Sequence, residues 1–277
     1  MTQSLFMCAP DYFGIEYEIN PWMSLKRQAD RRLARAEWET LHRFLTAELK
    51  LDVQLIRQVS GLPDMVFTAN AGLARGKTFI ASNFRNKERS GEASHYEAWF
   101  QEKGYTVYHL PPSYYFEGEG DVLFSDDENA FAGYLIRSDV TAHAAVAERL
   151  GVRIVSLELV NPRFYHLDTC FCPLNADSVV YYPGAFDAYA LEVIKANFSD
   201  RIEVTEREAE QFVCNAIVIE NHYIQAQGGQ ETLRPALEKR GYHIHEFDMS
   251  EFIKAGGATK CLVLKLTEAP QRAKGYK

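Results

Sequence analysis

The chain has 277 residues, 47% of them hydrophobic and 25% charged, with a formal net charge of −8. That length builds one large domain or two small ones around a sizeable core. An acidic balance with no Lys/Arg cluster argues against nucleic acid or an anionic membrane surface as a partner, and no apolar run approaches the ~20 residues of a membrane span.

The opening Met1-Thr-Gln-Ser-Leu-Phe-Met-Cys8 lacks the basic region and long apolar run of an export leader. The five cysteines, Cys8, Cys170, Cys172, Cys214 and Cys261, are an odd number in a long chain. Free thiols in a reducing cytoplasm are the simplest expectation.

Along the chain, residues 4–9 read as a strand, 36–49 as an amphipathic helix and 52–56 as a strand. A strand pair follows over 65–73 and 78–81, then a helix over 94–103, Gly104 and a strand over 105–110. The third unit has strands 122–124 and 130–134, helix 141–150, Gly151 and strand 152–157. The fourth has strands 169–173 and 179–182, helix 187–196 and strand 201–204. The fifth has strands 216–219 and 224–226, helix 231–240, Gly241 and strand 242–247. A last strand, 262–267, pairs through 262–266 with residues 4–9 and closes the series. Gly after three of the helices is the expected left-handed C-cap. A hairpin–helix–strand unit recurring every ~40 to 55 residues makes internal repetition the governing feature. The expected architecture is α/β: five ββαβ units as blades of a pseudo-symmetric propeller, strands toward a central axis and helices outside, in a single domain over 1–277. Ordinary α/β alternation in two domains is the competing reading.

The segments between units carry the polar residues. Lys254-Ala-Gly-Gly-Ala-Thr-Lys-Cys261 delivers a thiol on a small-residue loop, either as a nucleophile open to a ligand or as a buried free cysteine. His166 and Asp168 in Tyr165-His-Leu-Asp-Thr169 would share one strand face, as would Asp64 and Asn70 in Pro63-Asp-Met-Val-Phe-Thr-Ala-Asn-Ala-Gly72. His166 is a general acid/base or a structural histidine. With Asp168, Cys170 and Cys172 it also permits a metal reading, although a second cysteine pair is missing and packing is the plainer role for those thiols. Phe116-Glu-Gly-Glu-Gly-Asp121 is a tight functional loop or a solvated acidic turn. Arg89 and Arg137 are surface charges, or a pair that clamps a carboxylate.

Together these motifs resemble the guanidine-modifying superfamily of arginine deiminases, dimethylargininases, amidinotransferases and arginine dihydrolases, whose shared fold is a five-bladed α/β propeller. The likeness runs from Met7-Cys-Ala-Pro-Asp11 and Glu18-Ile-Asn-Pro-Trp-Met23 to Cys261. The segments at 63–72 and 116–121, Phe164-Tyr-His-Leu-Asp-Thr-Cys-Phe-Cys-Pro-Leu174 and Tyr182-Pro-Gly-Ala-Phe-Asp187 look most like arginine dihydrolases. The resemblance implies Cys261 as nucleophile, His166 as general acid/base and Glu117 as the carboxylate that orients it. It implies Asp168 as the group that grips a guanidinium, Asp64 as an α-amino contact, and Arg89 and Arg137 as ligands of an α-carboxylate. Asn20 and Asn70 complete the implied substrate contacts. Asn70 stands where deiminases and dimethylargininases usually have aspartate, and the Asp of His-x-Asp is missing from dimethylargininases.

The implied reaction converts L-arginine to L-ornithine, carbon dioxide and two ammonia molecules through a cysteine-bound intermediate, without metal or cofactor. Arginine deiminase and dimethylargininase are the enzymatic alternatives. A non-catalytic binding protein of the same fold is the remote one. The expected partner is a small cation, with neither nucleic acid nor membrane involved, and a homo-oligomer is compatible with the sequence.

Overall fold

The structure, a computed structural model, describes residues 4–266. Strands β1 (Ser4–Cys8) and β2 (Asp52–Ile56) flank helix α1 (Arg31–Arg43). Next come β3 (Gly72–Arg75), β4 (Thr78–Ala81), α2 (Ala93–Glu102) and β5 (Thr106–Tyr108). They are followed by β6 (Val122–Phe124), β7 (Asn129–Tyr134), α3 (Val140–Leu150) and β8 (Arg153–Glu158). The next unit is β9 (Phe171–Pro173), β10 (Ser178–Tyr181), α4 (Ala188–Asn197) and β11 (Asp200–Glu203), with α5 (Glu206–Glu210) after it. Finally come β12 (Ile217–Ile219), β13 (His222–Ala226), α6 (Leu233–Lys239), β14 (His243–Phe247), α7 (Ser250–Ile253) and β15 (Leu264–Leu266).

These strands form five three-stranded sheets: β15-β1-β2, β3-β4-β5, β6-β7-β8, β9-β10-β11 and β12-β13-β14. In each, a short lead strand pairs antiparallel with the middle strand, and a helical crossover returns the chain as a third strand parallel to the middle one. The sheet of β15 and β1 joins the two ends of the described chain, with Leu5 opposite Lys265. Thr267, the expected end of the last strand, lies outside the described residues.

Local chemistry explains the helix ends. Asp30 caps α1 by accepting from the amides of Arg32 and Leu33, and Asp187 caps α4 at Ala190. Thr205 and Glu208 form a reciprocal capping box on α5, while Glu208 also accepts from the amides of Thr232 and Leu233 at the start of α6. Gly151 ends α3 at φ 65°, ψ 40°, the left-handed cap expected there. On α1, Ala34, Trp38 and Leu41 make the buried stripe, continued by Leu45 in a π-type turn over Phe44–Glu48. The sequence expectation started this helix at residue 36 because Arg31 and Arg32 hide its charged first turn.

One expected strand is absent. Residues 65–71 form two 3-10 turns, Pro63–Val66 and Thr68–Ala71, before β3 begins. Met-Val-Phe-Thr-Ala imitates a buried strand in composition. Its amides instead bond within turns, Phe67 to Asp64 and Asn70 to Phe67, and Thr68 Oγ1 donates to the carbonyls of Phe6 and Leu262.

No described helix is long and apolar enough to cross a membrane.

Candidate active site

Each lead strand is entered by a buried turn, and polar side chains from the five turns form one connected cluster. The turn before β3 supplies Asp64 and Asn70, and the one before β6 supplies Glu117. His166 and Asp168 precede β9, Asn215 precedes β12 and Cys261 precedes β15.

The thiol of Cys261 donates to Asp168 Oδ2 at 3.4 Å and accepts from Asn215 Nδ2 at 3.1 Å. The glycines of its loop leave no opening; they allow close packing. At φ 86°, Gly256 lies where a Cβ would stand 2.7 Å from the Tyr165 hydroxyl and 2.9 Å from Asn20 Oδ1. A Cβ on Gly257 would meet Phe67 at 2.5 Å. Cys261 is therefore 3% exposed rather than presented on an open loop. Burial, and then the neighbouring Asp168 carboxyl, push the thiol well above its usual pKa. Burial likewise raises Asp168 to about 7, against the pull of Lys260 and the Cys261 hydrogen bond. The free site thus holds a proton on this pair near neutrality, and an arriving cation favours its release.

His166 Nε2 lies 2.7 Å from Glu117 Oε2. An ionised carboxylate only accepts, so Nε2 carries the hydrogen and Nδ1 is left to exchange protons. Burial works against the Glu117 charge, but Arg137 at 3.0 Å and His166 outweigh it and hold the carboxylate well below its usual pKa. Glu117 remains an anion. The glycines of 116–121 let this loop pass against the site: a Cβ on Gly120 would stand 2.2 Å from Asn70 Nδ2. Glu119 turns away to Lys260 Nζ at 2.9 Å, and Asp121 accepts from Ser138 Oγ and the Leu167 amide. Of the three acidic residues in this loop, only Glu117 hydrogen-bonds the His166 ring.

Arg89 and Arg137 are each 3% exposed, not surface charges. Arg89 pairs with both oxygens of Glu92 at 2.8 Å, donates to Asn70 Oδ1 at 2.8 Å and to the Asp64 carbonyl at 3.1 Å. Arg137 donates to Glu117 and to the Ile19 carbonyl and lies over the Tyr165 ring. Asn20 bridges to the nucleophile loop through Nδ2 to the Ala255 carbonyl at 3.1 Å. Asn20, Asp64, Asn70, Arg89, Arg137 and Cys261 line one narrow pocket with Tyr165 and Phe67. Asp64 Oδ1 and Asp168 Oδ1 are buried with no hydrogen-bond partner among the described residues. A buried carboxylate oxygen left bare is costly, so the two mark places where cationic donors would be stabilised.

All nine site residues singled out in the sequence are thus linked, but not by shared strand faces. Asp64 and Asn70 sit in 3-10 turns and meet through Arg89. His166 is extended and Asp168 is the middle residue of a 3-10 turn over Leu167–Thr169, which sends one side chain to Glu117 and the other to Cys261. Cys170 and Cys172 face the carbonyls of Leu167 and Ala216 instead. Sequence reasoning passed over Asn215, Glu92 and Tyr165. Asn215 occupies, in the fifth linker, the place of the residues noted in the other four; the repeat itself was the available signal.

The chain is similar over most of its length to proteins of known activity. A family model described as N,N dimethylarginine dimethylhydrolase, eukaryotic, matches residues 9–268. The bifunctional arginine dihydrolase/ornithine cyclodeaminase ArgZ of Synechocystis is 44% identical over 95% of this chain, which spans 38% of that protein's length. N(G),N(G)-dimethylarginine dimethylaminohydrolase of Mycobacterium tuberculosis is 40% identical over 96% of this chain and 86% of its own length. A crystal structure of the N-terminal domain of ArgZ, a cyanobacterial arginine dihydrolase, superposes with a TM-score of 0.92 at 42% identity. That match covers 96% of this chain and 98% of that domain; the domain there is a cysteine-to-serine variant bound to substrate. With nearly its whole described length matched, the chain belongs to the N,N-dimethylarginine dimethylhydrolase family.

Proposed function

We propose that the protein is an arginine dihydrolase, hydrolysing L-arginine to L-ornithine, carbon dioxide and two ammonia molecules. The observation that carries the reading is one narrow pocket lined by the Cys261 thiol and by Asp64, with Asp168 hydrogen-bonded to that thiol, each carboxyl keeping a bare oxygen. Arginine offers two cations, and the carboxyl that contacts the thiol is the one suited to its guanidinium. The α-ammonium then meets Asp64, and the α-carboxylate is bound on the side of Arg89 and Arg137, with Asn20 closing the pocket. The likeness to ArgZ supports the same substrate.

In this scheme the guanidinium pairs with Asp168 and the Cys261 thiolate attacks its central carbon. The tetrahedral adduct collapses, the C–N bond breaks, and ammonia departs with a proton from His166. Water, deprotonated by His166, hydrolyses the thiouronium and returns the thiolate. Asn70 governs the second half of the reaction. Its Oδ1 is held by Arg89, and Nδ2 donates to the Glu117 carbonyl at 3.3 Å, leaving one amide hydrogen for a ureido oxygen. The ureido species is retained, a second attack expels the second ammonia, and a second water releases carbon dioxide and ornithine. Nothing in the scheme calls for a metal or organic cofactor.

The architecture proposed with it is one domain over 1–277, its five sheets arranged as propeller blades. Support comes from the five turns that share the site and from residues of β6, β9, β12 and β15 that line a single cavity of ≈ 190 Å³. A cytoplasmic enzyme, free or as a homo-oligomer, fits this reading. The deciding experiment is product analysis with ¹³C-guanidino arginine: labelled carbon dioxide with ornithine is expected. Labelled citrulline as end product would make it a deiminase, and preference for dimethylarginine would make it a dimethylargininase.

A pH dependence of binding arises from Asp168. With its carboxyl raised to about 7, the group is protonated below that pH and cannot pair with a guanidinium. Binding must then expel a proton, so affinity is fully expressed above about 7 and falls roughly tenfold per unit well below it. Calorimetry of L-arginine binding to Cys261→Ser, in buffers of different ionisation enthalpy, should register proton release near neutrality. Constant affinity from mildly acidic to mildly alkaline pH would remove Asp168 from the guanidinium contact.

A further inference from the structure

We infer that Asn215 is a catalytic residue: its amide N–H holds charge on the Cys261 sulfur while its amide oxygen fixes the loop that presents the thiol. The side chain is 0% exposed. Its Oδ1 accepts from the backbone amides of Ala258 at 3.2 Å, Lys260 at 3.0 Å and Cys261 at 3.2 Å. Three converging N–H donors require an oxygen there, so the orientation of the amide is settled and Nδ2 must face the other way. Its two hydrogens are directed to the Asp168 carbonyl at 3.1 Å and to Cys261 Sγ at 3.1 Å. The backbone carbonyl of Asn215 also accepts from Thr259 Oγ1 at 2.6 Å. One buried side chain therefore ties the nucleophile's loop to the turn carrying Asp168.

A hydrogen bond to sulfur strengthens when the thiol becomes a thiolate, because its acceptor is then charged. In the free site the S–H group also has Asp168 as a partner. Once a guanidinium takes the Asp168 carboxylate, the Asn215 N–H stays directed at the sulfur. This deepens the hydrolytic reading and rests on Cys261 being its nucleophile. It also completes the pattern of the five turns, each of which then supplies a residue to the reaction.

The test reads the thiol directly. Asn215→Asp keeps an oxygen for the three loop amides but removes the donor. Alkylation of Cys261 by iodoacetamide, located by peptide mass spectrometry, is followed between about pH 6 and 10. The variant should react about 10- to 100-fold more slowly at mildly alkaline pH, with its profile displaced upward, as expected on losing one charge-assisted hydrogen bond. Superimposable profiles would overturn the inference. Should the variant fail to fold, wild-type protein with ¹⁵N-labelled asparagine gives the same decision. The Asn215 side-chain amide proton should titrate together with Cys261 and shift when the thiol is alkylated; an amide signal insensitive to both would reject the role. If these thiol effects appear while arginine yields no ammonia, the inference stands and the proposed activity falls.

Discussion

Cys261→Ala is expected to lower ammonia release from L-arginine by at least about 10⁴-fold, since removal of a covalent nucleophile leaves only binding and positioning. The fold should survive. The substitution removes one buried sulfur and leaves Asn215 Nδ2 without its sulfur partner, a cost of about 1–3 kcal/mol against a typical domain stability of about 5–15 kcal/mol. Cys170→Ala and Cys172→Ala should retain turnover, because those thiols are directed at backbone carbonyls and do not line the pocket that Cys261 lines. Acid-quenched wild type, analysed by intact mass during turnover, should carry an adduct on Cys261 that the alanine variant lacks. Substantial activity in Cys261→Ala would exclude a covalent route.

Asn70→Asp should redirect the product from ornithine toward citrulline while the first hydrolysis continues. The amide oxygen of Asn70 is already occupied by Arg89, so a carboxylate in its place keeps that ion contact. The other end of the group changes sign. Where Nδ2 donates to the Glu117 carbonyl, a carboxylate oxygen would face another acceptor, and no hydrogen would remain for a ureido oxygen. A guanidinium cation tolerates that added charge, whereas neutral citrulline loses a donor and gains a repulsive contact. A loss of about 2–3 kcal/mol in retention corresponds to roughly 30- to 150-fold faster escape relative to the second attack. Chromatography of ornithine and citrulline after incubation with arginine measures the ratio. A variant that still yields ornithine alone would show that position 70 does not govern the second step.

The repeat was legible because each unit carries its own local signals. Gly104, Gly151 and Gly241 stop helices with positive φ, and the strand at Asp52–Ile56 has the bounds its composition suggests. The turns before the lead strands were less legible. Met65 to Ala71 looks like a strand because every residue there is buried, yet burial is shared by strands and tight 3-10 turns alike. Asp64 and Asn70 were rightly paired for a mistaken reason, since Arg89, not a pleated face, brings them together. Glu92 was invisible as the partner of Arg89 because a glutamate at i+3 reads as ordinary helix-surface charge.

By itself the sequence determined the succession of strand, helix and strand, since apolar periodicity and capping residues act within a few positions of one another. It also determined the identity of the candidate nucleophile, base and carboxylates, through long motifs. Tertiary structure alone decided which of those side chains touch. The proton shared between Cys261 and Asp168, the opposed pull of burial and Arg137 on Glu117, and the grip of Asn215 on the thiol loop all join residues tens of positions apart. Such effects arise from desolvation and from charges a few ångströms away, and those distances exist only once the five turns have been brought to one place.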